Sequence, residues 1–181
     1  MTANEILKYY SGRLPAMIDS IREIVDIESP SLDTERSREV VDWVEMQFAG
    51  TGVDLKIERE SCDDGDHLVI QAFPGEGKHS MLLGHTDTVH PVGANDLNPT
   101  RIEDDKFYGC GIFDMKANII LMIEALRFLN DHGLKPARPI SVFLSCDEEV
   151  GSFSGRPILE RVETQLADLH RMSSTLEQSN N

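Results

Sequence analysis

At 181 residues and 40% hydrophobic content, the chain is long enough for one domain with a real core. Its 17 basic and 32 acidic residues give a formal net charge of -15, which repels nucleic acid and anionic lipid surfaces and excludes both as expected partners. Three cysteines, Cys62, Cys110 and Cys146, share no repeated spacing and imply neither a disulfide framework nor a zinc finger.

The chain starts Met1-Thr2-Ala3-Asn4-Glu5, without the basic start and apolar core of a signal peptide, and no apolar run reaches membrane-spanning length. A cytoplasmic protein in a reducing compartment is expected. Residues 3 to 27 place Ile6, Leu7, Tyr10, Leu14, Met17, Ile18, Ile21, Ile24 and Val25 at mostly helical spacings, with interruptions at Ser11-Gly12 and Pro15 that predict one or two helices. Ser29-Pro30-Ser31 reads as a turn. Asp33 or Thr34 then caps a helix that carries Val40, Val41, Val44 and Phe48 inward and stops at Gly50 and Gly52.

Residues 53–58 alternate with period two, as an edge or half-buried strand does, and residues 67–73 form a second strand. Ser80-Met81-Leu82-Leu83 is a short apolar strand of the buried parallel type, closed by Gly84-His85. Residues 90–100 read as a loop and 101–108 as a short hairpin. Residues 115–130 form the clearest helix, apolar over much of its circumference. Residues 139–144 make another buried strand, 155–169 a final helix, and the segment from Arg171 onward is polar and poor in apolar residues.

Three stretches end apolar runs with imidazole or carboxylate groups: Gly84-His85-Thr86-Asp87, Gly109-Cys110-Gly111-Ile112-Phe113-Asp114, and Asp147-Glu148-Glu149. Each has an ordinary explanation: a polar turn for His85, a helix N-cap for Asp114, a solvated acidic turn for the triplet. Gly109 to Gly111 lacks the third glycine of a dinucleotide fingerprint. Parallel strands would bring all three stretches to one sheet edge. There His85, Asp114 and Glu149 make a donor set suited to zinc and tolerant of cobalt or manganese. Asp87 is placed to accept the other imidazole N–H. Glu148, opposite Glu149 if the backbone is extended, is placed to take a proton from water. Cys146, beside this cluster, reads as a small buried hydrophobe.

Together, the motifs resemble the co-catalytic zinc amidohydrolase and peptidase family that includes glutamate carboxypeptidases, aminoacylases, acetylornithine deacetylase and succinyl-diaminopimelate desuccinylase. The resemblance carries onto Gly84-His85-Thr86-Asp87-Thr88-Val89, the run Gly109 to Lys116, and Asp147-Glu148-Glu149-Val150-Gly151-Ser152, and covers the chain to about Arg161. It implies an α/β fold, a three-layer open and mostly parallel sheet with helices on both faces. It also implies two zinc ions, with His85 on one, Asp114 bridging, Glu149 on the other, Glu148 activating water, and a cis Asp114-Met115 bond. The expected reaction is amide hydrolysis of a small N-acyl amino acid or peptide, releasing an amino acid.

Cys110 and the pair Ala117-Asn118 depart from the family pattern without touching a ligand. The family's further acidic ligand has a weak substitute in Glu177, and His170 does not match its final histidine. Residues 1–168 are therefore expected to be the N-terminal part of a catalytic domain and 169–181 a divergent polar tail, with reduced or no activity alone and possible self-association. A non-catalytic interaction or regulatory fragment that keeps the fold is the alternative reading.

Overall fold

The structure is a computed structural model and describes residues 1–163. The first helix, α1 (Ala3–Asp26), begins with a reciprocal cap: Glu5 N–H donates to the Thr2 hydroxyl, while Thr2 N–H donates to the Glu5 carboxylate at 2.6 Å. It runs unbroken through Pro15, because Met17, Ile24 and Val25 are buried along it and their packing outweighs the lost backbone bond. Helix α2 (Thr34–Ala49) is capped by Asp33, which accepts from Arg36 N–H at 3.1 Å. Val40, Val41, Val44 and Phe48 are fully buried.

Four strands form the main sheet: β1 (Leu55–Cys62), β2 (Gly65–Ala72), β3 (Ser80–His85) and, after the α4 crossover, β6 (Ile140–Ser145). Between them lie the short helix α3 (Ala94–Leu97), the hairpin β4 (Arg101–Glu103) and β5 (Lys106–Tyr108), and α4 (Ala117–Asp131). The spatial order is β1-β2-β6-β3. The α/β class and the open sheet stand, and the parallel character sits at β3 and β6. The other described pairs, β1 with β2 and β2 with β6, are antiparallel, so this part of the sheet is mixed. The reason for the first is connection length, since only Asp63-Asp64 separates β1 from β2, whereas parallel pairing needs a crossover such as α4.

Side-chain alternation in β2 and β6 builds layers on both faces. Leu68, Ile70, Val142 and Leu144 face a core made with α1, α2 and α4. Val69 and Phe143 face the other way, against Ile158 and Val162 of the helical segment 155–163. The tail expected at 169–181 lies outside the described residues. No helix among the described residues is long and apolar enough to cross a membrane.

Phe48 is 0% exposed in the main core. Phe48→Ala is expected to destabilise the fold by about 3–5 kcal/mol, read as a lowered urea midpoint with an unchanged slope.

Candidate metal centre

Parallel register sets His85, the last residue of β3, opposite Ser145, the last of β6. The chain beyond each strand then folds over the same sheet edge. His85 is 4% exposed. Its Nδ1 lies 3.0 Å from the main-chain oxygen of Asp87 and 3.4 Å from the Asp87 Oδ1, and its Nε2 lies 3.0 Å from Asp114 Oδ1 and 3.9 Å from Glu148 Oε2.

Asp87 does more than face the imidazole. Its buried carboxylate accepts the Ser31 hydroxyl at 2.6 Å, Glu148 N–H at 3.2 Å and Glu149 N–H at 3.1 Å. One side chain thus ties together the loops after α1, β3 and β6. Ser31 was legible in the sequence only as part of a turn. The missing signal was spatial: Pro30 pairs with Thr88, and Ser29 Oγ donates to Thr86 O at 2.7 Å.

After Asp147 the backbone forms a 3-10 turn, Glu148–Val150, not the extended segment that would have turned Glu148 away from Glu149. Donor atoms of His85, Glu148 and Glu149 therefore all lie within 4.8 Å of one another. Asp114 arrives from a π turn, Ile112–Lys116, entered through Gly111 at φ 69°. A side chain at Gly111 would meet the Thr88 methyl at 2.7 Å as well as the strained φ. The Asp114-Met115 bond is cis. Lys116, 2% exposed, donates its Nζ to Ile27 O at 2.6 Å, and burial lowers its pKa to about 8. Glu177 lies outside the described residues.

Two cavities flank the cluster. One, about 420 Å³, is lined by His85, Glu148, Phe143 and Arg156 among others. The second, about 380 Å³, is lined by Asp114, Glu149, His90 and Phe113. Arg156 escaped the sequence reading because nothing in its local context distinguishes it from other helix-surface arginines.

The electrostatics favour positive charge at this cluster. Burial pulls the His85 pKa down, but hydrogen bonds to Asp87 and Asp114 outweigh it and raise the value to about 9. Burial likewise opposes ionisation of Asp87, yet hydrogen bonds from His85, Ser31 and Glu149 N–H lower its pKa. Glu149 is raised, first by burial, then by repulsion from Asp114, Asp87 and Glu148. A proton on the imidazole offsets part of the negative charge around it, and a divalent cation serves the same end. A nitrogen and carboxylate oxygens at these separations fit zinc, cobalt or manganese.

The profile described as Peptidase family M20/M25/M40 matches residues 81–180. Carboxypeptidase G2 of Pseudomonas sp. (strain RS-16) is 30% identical over 166 residues, 91% of this chain and 40% of the relative. Acetylornithine deacetylase of Vibrio vulnificus (strain CMCP6) is 29% identical over 153 residues, 80% of this chain and 39% of the relative. The chain thus spans about two-fifths of the curated relatives it matches. Among solved structures, human carnosine dipeptidase 1 superposes with TM-score 0.75 at 17% identity, covering 90% of this chain and 38% of that one. An M20 family metallo-carboxypeptidase from Sulfolobus solfataricus gives 0.63 at 20% identity, covering 75% and 32%. At such identities the structural matches establish the fold alone.

Metal binding needs the neutral imidazole, and His85 keeps its proton to about pH 9. Affinity for Mn²⁺, which disfavours thiolates, is therefore expected to rise with pH up to about 9, by at most about tenfold per unit for one displaced proton. Competition with a chromophoric chelator across that range measures it, and His85→Ala is expected to abolish the rise.

Proposed function

The chain belongs to peptidase family M20/M25/M40, and we propose that the His85 cluster serves zinc-dependent hydrolysis of an amide bond in a small N-acyl amino acid or peptide, releasing an amino acid. The observation that carries this reading is the buried His85, whose Nε2 faces Asp114 Oδ1 at 3.0 Å and Glu148 Oε2 at 3.9 Å while Asp87 fills the space behind Nδ1. Glutamate carboxypeptidase or N-acyl amino acid deacylase activity is the proposed type, and a reducing cytoplasm is the proposed setting.

His85, Asp114 and Glu149 would hold the metal. When bound, zinc supplies Lewis acidity that polarises the amide carbonyl and makes water easier to deprotonate. The remaining work falls to the protein. Asp87 fixes the His85 ring from behind and, through Glu148 N–H and Glu149 N–H, sets the positions of both glutamates. Glu148, whose side chain is 53% exposed beside the larger cavity, takes a proton from the attacking water. The hydroxyl oxygen adds to the carbonyl carbon. As the carbon–nitrogen bond breaks, Glu148 returns the proton to the leaving amine, so the products are a carboxylic acid and a free amino group.

At the His85 centre of the 181-residue chain we propose fewer than two tightly bound zinc ions and slow turnover, because its relatives place these functions in proteins more than twice as long. Against a panel of N-acyl amino acids and dipeptides, the zinc-loaded chain is expected to release amino acid slowly, with the rate lost on chelation. Glu148→Gln should cut that rate on the order of 10²–10⁴-fold and leave metal content unchanged. Release that survives Glu148→Gln intact would sink the assignment of Glu148, and zinc uptake no greater in the wild type than in His85→Ala would sink the reading as a whole.

A further inference from the structure

A second donor cluster lies beside the first, on different residues. Cys62 closes β1, His67 lies within β2, and Cys146 follows β6. Cys62 Sγ is 3.8 Å from Cys146 Sγ and 3.5 Å from His67 Nε2, and Cys146 Sγ is 3.7 Å from His67 Nε2. His67 and Cys146 are buried and Cys62 half-buried.

These separations have a chemical meaning. With zinc–sulfur bonds of about 2.3 Å and a zinc–nitrogen bond of about 2.05 Å, a tetrahedron has a sulfur–sulfur edge of about 3.8 Å and sulfur–nitrogen edges of about 3.5 Å. The three donors already lie on those edges. Ser154 Oγ stands near the fourth corner, 3.0 Å from His67 Nε2 and 3.4 Å from Cys62 Sγ. We propose that Cys62, His67 and Cys146 form a second cation site, for zinc or another thiophilic divalent ion, with the Ser154 hydroxyl or a water completing the coordination.

Two further observations support a cation over the alternatives. The strand order places β2 between the two cysteine-bearing segments, and two strand spacings of about 9–10 Å exceed the ~7 Å between Cα atoms that a disulfide spans. Asp147, 1% exposed, leaves Oδ1 without a hydrogen-bond partner.

Loading has a defined proton balance. Each thiol releases one proton, and the His67 proton moves from Nε2 to Nδ1. The Cys146 N–H contact to Nδ1, at 3.3 Å a long one, is given up. Ser154 keeps its 2.8 Å bond to Asp147 Oδ2. The bound ion clips β1 and β2 to the segment that continues into Glu148 and Glu149, so its effect on the first centre would be positional.

Co²⁺ added anaerobically to the reduced, metal-free chain tests this, because thiolate-to-cobalt charge transfer absorbs in the near ultraviolet and imidazole–carboxylate coordination does not. The band is expected in the wild-type chain, unchanged in His85→Ala, and reduced to less than half in Cys62→Ser and in His67→Asn, each checked for native circular dichroism. A wild-type chain without the band overturns the proposal, as does a Cys62→Ser chain of native circular dichroism whose band equals the wild type.

Discussion

The parallel pairing of β3 with β6 is the constraint on which the rest of the site depends. Antiparallel strands would send the chain ends to opposite edges of the sheet. Parallel strands in the observed register put His85 level with Ser145, so that two segments 60 residues apart in sequence leave the sheet together. The α4 crossover makes that pairing possible. The π turn before α4 then delivers Asp114 to the same edge.

What keeps those segments in place is a single buried carboxylate. Asp87 gathers a hydroxyl from the loop after α1, an imidazole from β3 and two backbone amides from the turn after β6. A charged group 3% exposed is tolerated only when hydrogen bonds replace its lost water, and here they come from three separate stretches of chain. Folding and the preparation of the site are therefore one event. The same accounting explains the raised pKa of His85: burial lowers it, but hydrogen bonds to Asp87 and Asp114 favour the protonated ring and outweigh the burial.

Much of this was legible in the chain itself. The hydrophobic spacings of α2 and α4, the apolar runs of β3 and β6, and the His85, Asp114 and Glu149 motifs are local patterns, and local patterns survive in a sequence. Pro15 left one helix or two equally open, because its cost is local while the burial that decides for one is not. The sheet order was hidden for a related reason: strand pairing is a long-range choice, and only the two-residue link between β1 and β2 signals it. Ser31 and the Cys62, His67 and Cys146 group were invisible because their members come from distant strands. Cys146 in particular resembled any small apolar residue at a strand end, and only its neighbours distinguish it.

β3 stands at one margin of the four-stranded order, and among the described residues it pairs on one side alone. Leu83, 50% exposed, lies on that same strand, two residues before the histidine. A peptide backbone laid along this margin would continue the ladder directly onto the residues that hold His85. The boundary at which this sheet can grow and the boundary at which it does chemistry are one and the same strand, so any segment that extends the fold there would also stiffen, or displace, the imidazole at its end.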